Sequence, residues 1–101
     1  MSELKQIDVQ KAREMLSSGK VNIVDIRDPG SYSQGHIPSA IHLTDDNVID
    51  FIDKTDKETP LIVCCYHGNS SQGASVFFSN RGFKESYSLI GGYSAWQSAE
   101  I

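Results

Sequence analysis

The sequence contains two cysteines, Cys64 and Cys65, which are adjacent in the chain. A disulfide between neighbouring cysteines closes a strained ring, so we expect both thiols to be free. Cys65 is followed by a loop of small and polar residues, Tyr66 to Ser70, and by a predicted helix. A helix N-terminus carries partial positive charge and unpaired amides, and such surroundings lower the pKa of a cysteine. Cys65 is therefore a candidate nucleophile, although the same residue types also form ordinary turns.

Two neighbouring side chains are candidates for lesser roles. Cys64 is expected to lie on the opposite side of its strand from Cys65, and we predict that it is a core residue. His67 is predicted to be a solvated loop residue, with hydrogen-bond donation to a substrate as the alternative. A zinc site built from these three residues is disfavoured, because adjacent cysteines lack the usual ligand spacing.

The loop after Cys65 has the residues that a tight backbone turn needs. Gly68 has access to positive φ and allows close approach of the backbone, and Asn69 tolerates the left-handed region. Ser70 or Ser71 is expected to cap the following helix. With this geometry the loop amides could converge on one centre and stabilise an anion, either the thiolate or a bound oxyanion.

The elements that must position this loop alternate between strands and helices. Apolar runs predict strands, and periodic apolar positions with caps and glycines predict helices. The strands are expected at 21–25, 40–43, 61–65 and 86–89, and the helices at 9–18, about 44–55 and 71–81 and after Gly91-Gly92, with a short helix and loop over 29–38. This alternation predicts an α/β fold, with a central, mostly parallel sheet and helices on both faces. Sites in such sheets form beyond the carboxyl ends of the strands, where Cys65 falls.

Composition excludes several classes of function. The chain has 101 residues, which suits one domain over residues 1–101. The formal net charge is −4, which argues against a nucleic-acid partner. No apolar run approaches the roughly 20 residues that span a bilayer, and the N-terminus lacks the apolar region of a secretory signal. We therefore expect no membrane partner and a cytoplasmic protein.

Three ordered motifs resemble those of the rhodanese family. Asp25-Ile26-Arg27-Asp28-Pro29 and Gly35-His36-Ile37-Pro38-Ser39-Ala40-Ile41 resemble the first rhodanese signature, and Gly91-Gly92-Tyr93-Ser94-Ala95-Trp96 resembles the closing one. Cys65-Tyr66-His67-Gly68-Asn69-Ser70 stands in the place of the active-site loop. The resemblance extends from about Ile7 to Trp96, and the active-site loop together with the single-domain length is similar to that of the bacterial thiosulfate sulfurtransferases of the glycerol-3-phosphate regulon.

The resemblance implies a three-layer rhodanese-like fold and a sulfur-carrying cysteine. Cys65 would take the outer sulfur of thiosulfate as a persulfide and release sulfite, and cyanide or a dithiol such as thioredoxin would accept the sulfur. Neither a metal nor an organic cofactor is implied. The implied substrate-binding residues are Tyr66, His67, Gly68, Asn69 and Ser70.

The other signature residues are expected to be structural. Asp25 and Arg27 are predicted to hold the loops near the sheet edge, and Tyr93 and Trp96 to lie in the core. Rhodanese signatures usually carry an acidic residue at the position of Ser31, so the serine is expected to weaken the ion pair of Arg27.

Two other functions compete with sulfur transfer. A cysteine-dependent phosphatase or arsenate reductase of a related fold uses Cys-x5-Arg, but Ser71 stands at the position of that arginine. A non-catalytic rhodanese-like binding or regulatory module is the second alternative, and the presence of Cys65 argues for activity instead.

Overall fold

The computed structural model describes residues 3–99, in which strands and helices alternate along the chain. None of the helices in this part of the chain is long and apolar enough to cross a membrane. The elements, in chain order, are β1 (Gln6–Ile7), α1 (Val9–Ser18), β2 (Asn22–Asp25), α2 (Pro29–Gln34), β3 (Ile41–His42), α3 (Val48–Lys54), β4 (Leu61–Cys64), α4 (Ser70–Asn80), β5 (Ser86–Leu89) and α5 (Gly92–Ala99).

The strands form one five-stranded sheet in the order β1-β5-β4-β2-β3. Every pair of neighbouring strands is parallel, so the predicted mostly parallel sheet is confirmed and is parallel throughout. All residues of the central strand β4 are buried, as expected for a strand covered on both faces. The two-residue strand β1 was not predicted, because it is too short for a periodic pattern.

Helices cover both faces of the sheet, which confirms the predicted three layers. The side chains of each strand alternate between the two faces and pack into two separate apolar clusters. On one face the cluster contains Ala12 of α1, Ile23, Ile62, Leu89 and Trp96 of α5. On the other it contains Val24, Ile52 of α3, Leu61, Val63, Phe78 of α4 and Phe83.

The helix ends agree with the predictions in part. Asp8 caps α1 by accepting a hydrogen bond from the amide of Lys11, and Gly19 ends the helix with a φ of 75°, both as expected. The predicted cap of α4 is wrong. That helix begins at Ser70 after Asn69, which makes no side-chain capping hydrogen bond. The hydroxyl of Ser71 is instead directed to the strands, where it takes part in the site described next.

Candidate active site

The Cys65 sulfur lies at the end of β4, surrounded by hydrogen-bond donors. The amide of Gly68 donates to Sγ at 3.1 Å, and the amide of Ser71 donates to it at 3.3 Å. The Ser71 hydroxyl lies 3.3 Å from the same sulfur. An amide of the loop and an amide of the first turn of α4 therefore converge on one atom, in line with the expectation from the sequence.

The Ser71 hydroxyl has a second partner, on the neighbouring strand. Its Oγ lies 2.6 Å from Oγ of Ser88 on β5. Both serines are almost fully buried, with exposed fractions of 0% and 1%. A chain of polar atoms thus runs from the Cys65 sulfur through Ser71 to Ser88.

The N-terminus of α5 holds the other side of the loop. The amide of Tyr93 donates to the carbonyl of Cys65 at 2.8 Å, and the amide of Ser94 donates to the carbonyl of Tyr66 at 3.0 Å. These bonds direct the loop carbonyls to α5, which leaves the loop amides on the side of the sulfur. Gly92 allows the contact, because a Cβ there would lie 2.5 Å from the Cys65 carbonyl oxygen.

A glycine is required at position 68, where the loop packs against the backbone of Gly91. The φ of Gly68 is +88°, in the region that favours glycine, and a Cβ would lie 2.8 Å from the backbone nitrogen of Gly91. Gly68 in the loop and Gly92 in the closing motif therefore both allow the loop backbone to pack closely against the start of α5.

The pKa of the Cys65 thiol lies below its ordinary value. Burial raises this pKa, but hydrogen bonds from the Ser71 hydroxyl and from the amides of Ser71, Gly68 and His67 outweigh burial. No positively charged side chain is needed for this effect. The anion is stabilised by backbone dipoles and one hydroxyl.

Cys64 has the opposite environment. Its side chain is fully buried in the cluster beside α1 and α5, which confirms the prediction of a core residue. Burial, together with the nearby charge of Asp25, raises the pKa of the Cys64 thiol to about 12. The two adjacent thiols are therefore shifted in opposite directions, and Cys65 is the one that ionises more readily.

The side chains of the loop are exposed to solvent, whereas the Cys65 sulfur is buried. Tyr66 is 44% exposed, and its hydroxyl contacts the amide of Asp28 and the hydroxyl of Ser31. His67, Asn69 and Ser70 are exposed, which agrees with the prediction of a solvated His67.

Asp25 and Arg27 form a buried ion pair beside the loop. Nε of Arg27 lies 3.0 Å from both carboxylate oxygens, and Nη2 lies 2.8 Å from Oδ2 and 2.7 Å from the carbonyl of Gly35. The two residues hold the loop after β2 in place, as predicted. The expectation that Ser31 weakens the ion pair of Arg27 is wrong, because Asp25 supplies the carboxylate.

A polar cavity of about 330 Å³ lies next to this ion pair, and its lining includes Arg27, Tyr66, His67 and Tyr93. The guanidinium carbon of Arg27 lies 4.2 Å from the centre of the Tyr93 ring. Tyr93 therefore packs against the core and also lines the cavity, whereas Trp96 is a core residue as predicted.

Residues 3–99 contain no group of three or more His, Cys, Asp or Glu side chains placed to hold a metal ion. The Cys65 cradle offers amides and a hydroxyl, which suit an anion and not a cation.

Sequence reasoning identified Cys65 and its loop but missed Ser71 and Ser88 as partners of the sulfur. The sequence indicates Ser71 only as a possible helix cap and as the residue at the arginine position of Cys-x5-Arg, and Ser88 only as part of a predicted strand. The alternation of Ser86-Tyr87-Ser88-Leu89 was the available signal, since it places two serines on one buried side of β5.

Comparison with known proteins gives a consistent result. A family model described as the rhodanese-like domain matches residues 8–99. The chain is 50% identical over 98 residues to a thiosulfate sulfurtransferase GlpE of Ectopseudomonas mendocina, covering 97% of this chain and 89% of that protein. It is 41% identical over 101 residues to a thiosulfate sulfurtransferase GlpE of Vibrio cholerae, covering 100% of this chain and 95% of that protein.

Among solved structures, the human single-domain sulfurtransferase TSTD1 has the same fold. The TM-score is 0.83 at 18% identity, with 98% of this chain and 100% of that chain covered. The match of the family model over most of the chain, together with these relatives, shows that the chain belongs to the rhodanese family.

Proposed function

We propose that this protein is a thiosulfate sulfurtransferase and that Cys65 carries the sulfur as a persulfide. The observation that carries the proposal is the Cys65 sulfur itself, which accepts hydrogen bonds from two amides and has a lowered pKa. The activity named for the two relatives, at 50% and 41% identity over nearly the whole chain, supports the same substrate.

The reaction is a double displacement on sulfur. The Cys65 thiolate attacks the outer sulfur of thiosulfate, a new S–S bond forms, and the bond inside thiosulfate breaks with its electron pair leaving on sulfite. A nucleophilic acceptor then attacks the outer sulfur of the persulfide and restores the thiolate. With cyanide the product is thiocyanate, and with a dithiol such as thioredoxin it is hydrosulfide and a disulfide.

The geometry favours a small donor and permits a larger acceptor. Cys65 is 3% exposed, so the attacked atom must be terminal and unhindered, as the outer sulfur of thiosulfate is. The persulfide places the transferable sulfur about 2 Å farther out, which brings it within reach of an acceptor thiol. In this reaction the amides of Gly68 and Ser71 stabilise the thiolate before attack and after transfer.

The loop residues Tyr66 to Ser70 form the proposed binding site for thiosulfate. Their side chains include no Lys or Arg, so the charge of thiosulfate would be met by amides, hydroxyls and the α4 dipole. Both thiols are free, which suits a reducing compartment, and we place the protein in the cytoplasm. The resemblance to the enzymes of the glycerol-3-phosphate regulon supports a place in glycerol metabolism.

The test is the intact mass of the protein after incubation with thiosulfate. A gain of about 32 Da, removed by cyanide or dithiothreitol, is expected for the wild type and for Cys64→Ala, and no gain is expected for Cys65→Ala. Steady-state rates with thiosulfate and other sulfur donors, using cyanide and thioredoxin as acceptors, then define the substrate pair.

The same experiment separates the alternatives. An unmodified mass for both wild type and Cys65→Ala would favour a binding module without sulfur transfer. Hydrolysis of p-nitrophenyl phosphate that is lost in Cys65→Ser would favour a phosphatase. The guanidinium of Arg27, beside the loop, is engaged by Asp25 and by the Gly35 carbonyl, which disfavours that role.

A further inference from the structure

The hydroxyl of Ser88 is a buried group that the proposed reaction does not use directly. It lies 2.6 Å from the Ser71 hydroxyl, which in turn lies 3.3 Å from the Cys65 sulfur. Among residues 3–99, no other hydrogen-bonding partner contacts this hydroxyl. The residue is 1% exposed, so water does not reach it readily. Which of the two serines donates in this hydrogen bond therefore depends on whether Cys65 is a thiolate or a thiol.

The number of hydrogens on the three hydrogen-bonded groups of Cys65, Ser71 and Ser88 shows which protonation state of Cys65 this arrangement favours. When Cys65 is a thiolate, Ser88 donates to Ser71 and Ser71 donates to the sulfur, so each hydroxyl hydrogen has an acceptor. When Cys65 is a thiol, the three groups carry three hydrogens but make only two contacts with one another. If the thiol donates to Ser71, a hydroxyl hydrogen of one serine is left without an acceptor in a buried site, which is unfavourable.

We propose that Ser88 is a positioning residue, whose hydroxyl orients the Ser71 hydroxyl as a donor to Cys65 and so favours the thiolate. This inference rests on the proposed function, because it assigns Cys65 as the reacting group. Ser88 touches neither the sulfur nor a substrate in this arrangement. It acts through Ser71, whose side-chain hydrogen bond is among the groups that lower the pKa of Cys65.

Charged and titratable groups also lie around the sulfur, and they are common to every variant used below. Cys64 on β4, Asp25 at the end of β2 and Arg27 just after β2 lie on the strand side. His67 lies on the loop, and Tyr93 lies on α5. A change at Ser88 leaves all of these groups in place. A difference in Cys65 reactivity between variants is therefore due to the hydroxyls of Ser71 and Ser88.

The experiment measures the rate at which iodoacetamide alkylates Cys65 as a function of pH, with the modified residue identified by peptide mass. The expected result for Ser88→Ala is a higher apparent pKa, with alkylation about three- to tenfold slower below that pKa. Ser88→Thr, which keeps the hydroxyl, is expected to retain the wild-type profile. Thiolate absorbance in the ultraviolet gives an independent measurement of the same pKa.

The matched control is Ser86→Ala. Ser86 is a buried serine of the same strand, but its hydroxyl donates to the carbonyl of Ser75, away from Cys65. This variant is expected to lose a similar hydrogen bond and leave the alkylation profile unchanged. An equal shift in Ser86→Ala, or no shift in Ser88→Ala, overturns the proposal.

A double variant tests whether Ser88 acts through Ser71. In a Ser71→Ala background, adding Ser88→Ala is expected to change the profile no further, and a further shift would overturn the proposal. If Ser88→Ala does not fold, Ser88→Cys replaces it, with the same expected direction because a thiol is a weaker donor. Because alkylation needs no thiosulfate, a failure of sulfur transfer in the wild type is distinguishable from a failure of this inference.

Discussion

The buried thiol of Cys64 makes the stability of the protein sensitive to alkaline pH. In the folded protein, burial and the charge of Asp25 raise the pKa of Cys64 from 9.0 to about 12. In the unfolded chain the thiol ionises near its ordinary value. Between these two values the unfolded state releases a proton that the folded state retains. The contribution of Cys64 is therefore fully present below the unfolded pKa and is lost as pH rises towards the folded pKa.

The size of the loss follows from the two pKa values. Each unit of difference corresponds to about 1.4 kcal/mol, so roughly 4 kcal/mol is lost once the pH reaches the folded value, and about 1.4 kcal/mol is already lost at pH 10. Replacing Cys64 by alanine removes this dependence and costs about 1 kcal/mol for the lost side chain. The stabilities of wild type and Cys64→Ala are thus expected to cross at about pH 9.6.

Urea unfolding of both proteins at a series of pH values from 8 to 10.5 measures the crossing. Wild type is expected to be the more stable protein at the low end of this series and Cys64→Ala at the high end. Sulfur transfer to cyanide is expected to survive in Cys64→Ala. Stability curves that stay parallel would refute the assignment of Cys64 as a shielded thiol. Loss of transfer in Cys64→Ala but not in Cys65→Ala would refute the strand register.

Two further predictions concern groups that hold the loop. Asp25→Asn leaves the buried guanidinium of Arg27 uncompensated and is expected to lower the free energy of unfolding by about 3–5 kcal/mol, while Asp25→Leu with Arg27→Met recovers most of it. Equal losses in urea unfolding would contradict this. Gly19→Ala, where φ is +75° and nothing lies within 4 Å, is expected to cost about 1–2 kcal/mol for strain alone. Gly92→Ala, which meets the Cys65 carbonyl at 2.5 Å, is expected to cost more and to slow Cys65 alkylation. The same loss in both variants with unchanged alkylation would count against the packing argument.

Much of this fold is predictable because its strongest signals are local. The apolar run of β4 reports burial on both faces, and Asp8 with Gly19 marks both ends of α1 within a short stretch of chain. The same local reasoning placed Cys65 at the carboxyl end of a central strand, where parallel sheets form their sites.

The remaining features depend on contacts between distant parts of the chain. Ser71 and Ser88 are 17 residues apart and meet only because β5 lies beside β4. No local sequence pattern therefore indicates that these two hydroxyls contact each other. The weakening expected from Ser31 is wrong for a different reason, because the carboxylate that pairs with Arg27 is that of Asp25, two residues before it in the sequence.

The hydrogen bonds from α5 to the loop bear on the stage of folding at which Cys65 gains its full reactivity. The carbonyls of Cys65 and Tyr66 are oriented by amides of residues 93 and 94, which are made long after the cysteine itself. The nascent chain therefore lacks these two contacts on the loop until residues 93 and 94 have been made and the last helix has docked. A chain interrupted before that helix would keep Gly68 and Ser71 but would lack the two hydrogen bonds that orient the carbonyls of Cys65 and Tyr66, and we expect its Cys65 to be less reactive than that of the full chain.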